Sequence, residues 1–157
     1  MDSYLTLKLI HILSSTILFG TGLGTAYYFW TAHLSGDPRI IASVGRRVIV
    51  ADWAFTATSG VVQPVTGALL ARELGLPLGQ SWLCAAFALY VLAFVCWVPV
   101  VKFQIQATHL AAAAARTGQP LPARYHVIMR RWFLLGWPAF GALIIIFVLM
   151  IAKPTLW

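Results

Sequence analysis

Acidic residues are scarce in this chain, and so are charged residues of any kind. Only four of the 157 residues are aspartate or glutamate, and all charged residues together make up 10%. A soluble domain typically carries about 25% charged residues, so the composition excludes an ordinary water-soluble protein. With 61% hydrophobic residues and a mean hydropathy of +0.84, the sequence indicates a single-domain membrane protein that crosses the bilayer several times.

Sulphur-containing residues are also few, and this restricts the redox and metal chemistry. Cys84 and Cys96 are twelve positions apart on one predicted helix, roughly 18 Å at 1.5 Å per residue, which is too far for a disulfide. The three methionines do not form a ladder through the membrane that would favour copper transport. Walker A, GxGxxG, HExxH and CxxC motifs are absent, so nucleotide hydrolysis and zinc-protease chemistry lack support.

Long hydrophobic stretches, by contrast, are present four times, and a membrane-spanning helix takes about 20 residues. We predict an all-α fold, a four-helix transmembrane up-down bundle formed by a single domain of residues 1–157. The predicted helices cover about residues 4–30, 47–72, 81–115 and 132–151, with the membrane part of the third ending near residue 101. Gly36, Asp37 and Pro38 indicate a turn, and residues 31–45 are predicted to form a loop.

Basic residues are concentrated on one side of the predicted membrane protein. The connections after the first and third helices hold eight of them, which are Arg39, Arg46, Arg47, Lys102, Arg116, Arg124, Arg130 and Arg131. The opposite side holds Lys8, Arg72 and Lys153. The positive-inside rule therefore predicts a multi-pass protein of the bacterial inner membrane with both termini outside, in the periplasm. The basic loops indicate contact with anionic lipid rather than with nucleic acid.

The first predicted helix carries two ionisable residues, Lys8 and His11, three positions apart on one helical face. Ionisable groups inside a spanning helix are costly and therefore indicate a functional site. A neutral imidazole here is suited to ligate haem iron or another transition metal. The alternative is a histidine hydrogen-bonded to a neighbouring helix, at Gln63 or Thr66. Lys8 either contacts a carboxylate of the ligand or extends its ammonium group to the headgroups.

The second predicted helix has one stripe of polar and small residues at helical spacing. Its members are Asp52, Thr56, Ser59, Gly60, Gln63 and Gly67. In lipid, such a stripe faces the protein interior. Pro64 has no backbone N–H, so the carbonyl near Gly60 is expected to need another partner.

Asp52 lies about one turn past Arg47 in the same helix. A carboxylate at this position is open to two interpretations. It either forms an ion pair with Arg46, Arg47 or Arg130, or acts as a proton-relay group near the inner face.

The other histidines, His33, His109 and His126, lie in or beside the basic loops. We therefore expect that none of them can share an iron with His11. A haem at His11 would be five-coordinate or would use an unusual second ligand. This arrangement argues against a protein that transfers electrons across the membrane, because such a protein needs redox centres near both faces.

Two resemblances are carried by short motifs. The opening Leu7-Lys8-Leu9-Ile10-His11-Ile12-Leu13, followed by a glycine near the helix end, resembles the start of the HemJ-type protoporphyrinogen oxidases and of the wider copper-resistance-D-like membrane superfamily. In HemJ-type proteins the first-helix histidine is implicated in haem binding, so the resemblance implies this role for His11. The ending Ile151-Ala152-Lys153-Pro154 is similar to the Lys-Pro ending common in these proteins.

The second resemblance is to a family of small bacterial integral membrane proteins of unknown function, domain of unknown function 2269. It rests on the run Trp97-Val98-Pro99-Val100-Val101, on Gln104 and Gln106, and on Arg131-Trp132, Gly136 and the Lys153-Pro154 ending. This resemblance implies a fold and a topology but no activity.

These observations predict a membrane-embedded protein of oxidoreductase character that binds b-type haem or a porphyrin. His11 would be the axial ligand of the metal, Gln63 and Thr66 its hydrogen-bonding partners, and Lys8 a contact for a carboxylate of the cofactor. The alternative is a non-enzymatic integral membrane subunit or a copper-handling protein in which His11 is structural. The expected partners are the lipid bilayer and either further copies of the chain or a membrane partner subunit.

Overall fold

The structure, a computed structural model, describes residues 2–157 and contains four long helices with no strand in this range. Helix α1 spans Ser3–Leu34, α2 spans Pro38–Glu73, α3 spans Ser81–Thr117 and α4 spans Ala123–Ala152. By length and composition, all four are long and apolar enough to cross a membrane. The predicted all-α membrane fold is therefore confirmed.

Consecutive helices run antiparallel, as the contacts between α1 and α2 show. His11, in the first half of α1, meets Thr66 in the second half of α2. Thr25, in the second half of α1, meets Asp52 in the first half of α2. Residue numbers thus rise along one helix while they fall along the other, as short connections between packed helices require.

The four helices close into a bundle. Helix α2 packs on α3, and α3 packs on α4. Phe19 of α1 meets Phe140 and Phe147 of α4 edge to face, with 6.1 and 5.5 Å between the ring centroids. Because α1 contacts both α2 and α4, every helix has two neighbours.

Helix α2 begins earlier than the sequence predicted, at Pro38 instead of near residue 47. The Asp37 carboxylate caps it, accepting a hydrogen bond from the backbone N–H of Arg39 at 2.8 Å. Pro38 occupies the first turn, where its missing N–H is tolerated. The predicted loop over residues 31–45 is therefore wrong, and the turn is confined to residues 35–37. Helix α4 likewise starts at Ala123 instead of near residue 132.

The helices are longer than a bilayer is thick, and their surplus length forms a packed region at one end. Helix α2 has 36 residues, about 54 Å at 1.5 Å per residue, whereas the hydrocarbon core measures about 30 Å. We call this the basic end, because it includes the connections 35–37 and 118–122 and the arginines beside them. Its core consists of Phe29, Ala32, Ile41, Ala42, Val48, Ala107, Ala111, Tyr125, Ile128, Met129 and Trp132. The buried cluster at the opposite end is smaller and consists of Trp82, Ala86 and Leu149.

Helix α2 departs from regular geometry at two places. Residues Asp52–Ala57 form a π-helical segment, a rare geometry that is frequent at functional sites. Farther along, Pro64 cannot donate to the carbonyl of Gly60, and the hydroxyl of Tyr90 on α3 donates a hydrogen bond to this oxygen instead. The prediction that this carbonyl needs another partner is confirmed.

Replacing Tyr90 with phenylalanine is expected to lower the free energy of unfolding by about 1–3 kcal/mol, because the Gly60 carbonyl then has no partner within the membrane. In a Pro64→Ala background, an N–H at position 64 restores the intrahelical bond, so Tyr90→Phe should cost much less. Unfolding of the four variants in mixed detergent micelles measures this double-mutant cycle. Equal costs in both backgrounds would mean that Tyr90 stabilises the bundle through packing alone.

Candidate functional site

The structure brings three of the four predicted site residues together between α1 and α2. His11 Nδ1 lies 2.7 Å from Thr66 Oγ1. The side-chain amide of Gln63 donates a hydrogen bond from Nε2 to the backbone carbonyl of His11 at 3.1 Å. Gln63 and Thr66 are buried, and His11 is half-buried. We call this group the His11 site.

The hydrogen bonds of Thr66 favour one tautomer of the His11 imidazole. Thr66 Oγ1 lies 2.7 Å from the carbonyl oxygen of Val62, to which its hydroxyl can donate within its own helix. With its hydrogen used in this way, Thr66 Oγ1 accepts from His11, and the hydrogen of the neutral ring is assigned to Nδ1. His11 Nε2 keeps its lone pair and has no hydrogen-bond partner within residues 2–157. A histidine whose Nδ1–H is held in this way is oriented as metal-ligating histidines are.

Two further features distinguish the surroundings of the imidazole ring. A Cβ atom at Gly67 would lie 3.3 Å from His11 Cε1, so the glycine allows the backbone of α2 to approach the ring. Gln63 Oε1 is buried without a hydrogen-bond partner in the described chain. An unsatisfied buried acceptor costs about 1–3 kcal/mol, and in a native protein it points to a ligand or water at that position.

A largely apolar groove of about 280 Å³ lies between α1 and α2 beside the His11 site. Its lining comprises Ile10, Leu13, Ser14 and Ile17 of α1 and Thr58, Ser59 and Val62 of α2. Ile10 and Ser14 of this lining flank His11 in the sequence, whereas the imidazole itself contacts Thr66 and Gly67 farther along α2. The His11 site and the groove thus lie between the same two helices.

Lys8 lies apart from the other predicted site residues. Its side chain is exposed, and Nζ lies 5.6 Å from the ring centroid of Tyr4, within cation–π distance. Lys8 is one turn from His11, about 4.5 Å along the helix axis. It is placed at the rim of the His11 site and not within it.

A second polar group, which we call the Asp52 cluster, joins all four helices. Gln104 of α3 donates from Nε2 to Asp52 Oδ2 at 2.7 Å, and Trp132 of α4 donates from Nε1 to Gln104 Oε1 at 3.3 Å. Asp52 Oδ1 lies 3.1 Å from the hydroxyl oxygen of Thr25 on α1 and 3.2 Å from that of Thr56 on α2. The cluster is buried, with Gln104 only 2% exposed and Asp52 only 5%.

Of the two interpretations of Asp52, the ion pair with Arg46, Arg47 or Arg130 is wrong. All three arginine side chains are exposed. The hydrogen-bond partners of the Asp52 carboxylate, as far as the structure describes the chain, are two hydroxyls and one amide. The carboxylate is therefore held by neutral groups.

The family model described as "Predicted integral membrane protein (DUF2269)" matches residues 5–154. The chain belongs to this family. The match runs from the start of α1 to the residues just after α4, so it covers the whole bundle and confirms the second of the two resemblances. The chain is thus an integral, multi-pass membrane protein whose surroundings are the lipid bilayer. No curated protein and no solved structure matches it.

Two residues on which the family resemblance rests, Gln104 and Trp132, belong to the Asp52 cluster. The sequence offered no signal that they face Asp52, because their partners lie on other helices. The stripe on α2 was the available signal, and its members Asp52, Thr56 and Gln63 are buried as predicted.

The remaining histidines lie far from the His11 site. His33 is 22 residues after His11 in the same helix, about 33 Å along its axis. His33 and His126 line a cleft of about 260 Å³ at the basic end, together with Trp30, Met129, Arg130, Trp132 and Phe133. His109 is exposed on α3. At this distance His33 cannot share an iron with His11, as the sequence predicted.

Proposed function

We propose that this protein binds a b-type haem or a related porphyrin within the membrane and serves an oxidation–reduction reaction, with His11 as the axial ligand. The observation that carries the proposal is the hydrogen bond between His11 Nδ1 and Thr66, which leaves the lone pair of Nε2 available to a metal. An apolar groove between the same two helices includes Ile10, the residue before His11. The buried and unpartnered Gln63 Oε1 supports a ligand at the same place.

The donor atoms favour a porphyrin over a bare metal ion. Within residues 2–157, histidine, cysteine, aspartate and glutamate side chains nowhere gather in a group of three or more that could hold a metal ion. A bare copper ion would therefore obtain fewer than three ligands of these types at any one place in the described residues. A haem iron receives most of its ligands from the macrocycle and needs only axial ligands from the protein. The donor chemistry at the His11 site fits this requirement.

Each residue of the site has a distinct task in this proposal. Thr66 fixes the tautomer and the orientation of the His11 ring. Gln63 holds the carbonyl of His11 and presents Oε1 to the bound group. Lys8, at the rim, supplies the positive charge for a carboxylate of that group. The haem would supply one-electron chemistry when bound, and the protein ligates it and surrounds it with apolar side chains.

We also propose that the protein resides in a bacterial inner membrane with both termini outside. The asymmetry of basic residues supports this orientation. A single haem near one face cannot carry electrons across the bilayer, so an electron partner is required. A second copy of the chain or a membrane partner subunit would meet this need.

The test is the absorption spectrum of the detergent-purified protein from cells with adequate haem supply, oxidised and then reduced with dithionite. We expect a Soret band and a reduced b-type α-band in the unmodified protein, lost in His11→Ala. The control is His109→Ala, which removes an exposed histidine and should leave the spectrum unchanged. A colourless protein that is equally stable with alanine at position 11 would contradict the proposal and support a non-enzymatic subunit with a structural His11.

Thr66→Val tests the hydrogen bond itself. The substitution keeps the shape of the side chain but removes the acceptor for His11 Nδ1–H, and loss of such a partner typically lowers metal affinity about 10–100-fold. Titration of the haem-free protein, followed at the Soret band, measures the affinity. Thr31→Val is the matched control, because the Thr31 hydroxyl bonds only within its own helix, at Tyr27 and Tyr28. Equal affinities of the two variants would exclude a role for the Thr66 bond.

A further inference from the structure

Asp52 is a buried carboxyl group inside a candidate membrane span, Pro38–Glu73. A carboxylate removed from water is costly unless a cation lies beside it or a proton neutralises it. The first condition is not met by the side chains that the structure describes, because the partners of Asp52 are neutral. This leaves protonation as the means of neutralising the charge.

The groups that face Asp52 can be named helix by helix. Helix α1 contributes Thr25, α2 itself contributes Thr56, and α3 contributes Gln104, behind which α4 places Trp132. None of these side chains carries a charge near neutral pH. The basic residues nearest in sequence, which are Arg46, Arg47, Lys102, Arg130 and Arg131, are all exposed. His33 bonds through Nδ1 to the Tyr125 hydroxyl at 3.0 Å.

One oxygen of Asp52 is fixed as an acceptor. The indole N–H of Trp132 can only donate, so the oxygen of the Gln104 amide must face Trp132 and its NH₂ group must face Asp52. Asp52 Oδ2 therefore accepts from Gln104 whether the carboxyl group is charged or neutral.

The other oxygen is surrounded by groups that suit both protonation states. A hydroxyl both donates and accepts, so Thr25 and Thr56 donate to Oδ1 of the charged carboxylate. When Oδ1 carries a proton, Thr25 can turn its hydrogen to the carbonyl oxygen of Gly22, which lies 3.2 Å away. Thr25 Oγ1 then accepts from the carboxylic acid. A proton can be added to Oδ1 or removed from it without leaving a polar group unpaired.

Two features of the fold suit such a site. Asp52 is the first residue of the π-helical segment Asp52–Ala57, and this geometry is frequent at functional sites. Trp132, which holds Gln104 in place, also lines the cleft at the basic end. The Asp52 cluster therefore extends to the wall of that cleft.

We propose that Asp52 is a proton-exchanging carboxyl group within the membrane. Its Oδ1 takes up a proton from hydronium and returns it to water. Gln104 and Trp132 are positioning residues for this exchange. The site is separate from the His11 site, so its test does not depend on haem binding.

The composition allows a direct test, because Asp2, Asp37 and Asp52 are the only aspartates in the chain. Asn is as good as Asp at the start of a helix, so Asp2→Asn and Asp37→Asn can be combined with little loss of stability. In this variant, made with aspartate carrying ¹³C in the side-chain carboxyl group, Asp52 is the single labelled residue. No ligand is added, and only the pH is varied. Infrared and ¹³C NMR spectra of the protein in lipid vesicles are recorded across a pH series.

The expected result is a labelled carboxylic-acid signal that is converted to a carboxylate signal, reversibly, as the pH is raised. Adding Asp52→Asn to the same variant removes the last labelled residue, so its spectrum is the background to be subtracted. The amide at position 52 can keep the bonds to Gln104 and to the hydroxyls. If this variant fails to fold, the labelled signal remains a complete test, because it needs no change at position 52. A signal that stays in one form over the whole pH range would overturn the proposal.

Discussion

Gln104→Leu should lower the free energy of unfolding by about 3–5 kcal/mol. The substitution removes two hydrogen bonds inside the bundle and leaves Asp52 Oδ2 and the Trp132 N–H without their partners. Each unsatisfied neutral group costs about 1–3 kcal/mol, and a charged one costs more. Because Gln104 is 2% exposed, water cannot easily replace it.

The neighbouring glutamine provides the control for this prediction. Gln106 lies two positions away on α3 and is only partly buried, so Gln106→Leu should change the stability by no more than about 0.5 kcal/mol. Both variants can be unfolded by increasing the fraction of denaturing detergent in mixed micelles. The double variant Asp52→Leu/Gln104→Leu should recover part of the loss, since removing both partners is less costly than removing one. Similar curves for Gln104→Leu and Gln106→Leu would refute the assigned importance of the cluster.

Gly45→Ala is the second substitution for which we expect a large effect, a loss of about 1–3 kcal/mol through overpacking. Gly45 is buried where α2 crosses α3, and a Cβ atom there would overlap the Thr108 side chain, lying 2.9 Å from its Cγ2. Thr108 cannot easily turn away, because its hydroxyl donates to the backbone carbonyl of Gln104 at 2.8 Å and the side chain is 1% exposed.

Gly24→Ala is the matched control, because a Cβ at Gly24 would meet nothing within 4 Å. Alanine is favoured over glycine inside a helix by about 1 kcal/mol, so this variant should be slightly more stable. Thr108→Ala, introduced into Gly45→Ala, removes the atoms that overlap most and should restore part of the stability. Thermal unfolding in detergent measures all four proteins. Equal midpoints for the two glycine variants would show that α2 and α3 can move apart without cost.

Features that depend on residues close together in the sequence could be predicted. Hydrophobic length predicted four membrane helices, and helical spacing predicted the buried stripe that includes Asp52 and Gln63. The need of the Gly60 carbonyl for a partner followed from Pro64. Even the early start of α2 had a local signal, since Asp37 and Pro38 are typical of the beginning of a helix, but this pair also suits a turn.

Contacts between consecutive helices could be predicted in part. The proximity of His11 to Thr66 and Gln63 was anticipated, because α1 and α2 are consecutive and the three residues lie at similar depth. Contacts that involve several helices could not be predicted. The link from Asp52 through Gln104 to Trp132 spans three helices, and it depends on how each helix is rotated about its axis. Hydropathy contains no information about that rotation. An arginine partner was the simpler expectation for Asp52, and packing replaced it with an amide.

The groove beside His11 has a consequence for how a molecule would reach the imidazole. Ile10, Leu13 and Ile17 are exposed along the surface of α1, a helix long and apolar enough to cross a membrane. A hydrophobic molecule dissolved in the bilayer can therefore approach sideways, by lateral diffusion between lipid tails, without passing through water. Its local concentration would be set by partitioning into the membrane, and a poorly water-soluble compound would be abundant at this groove.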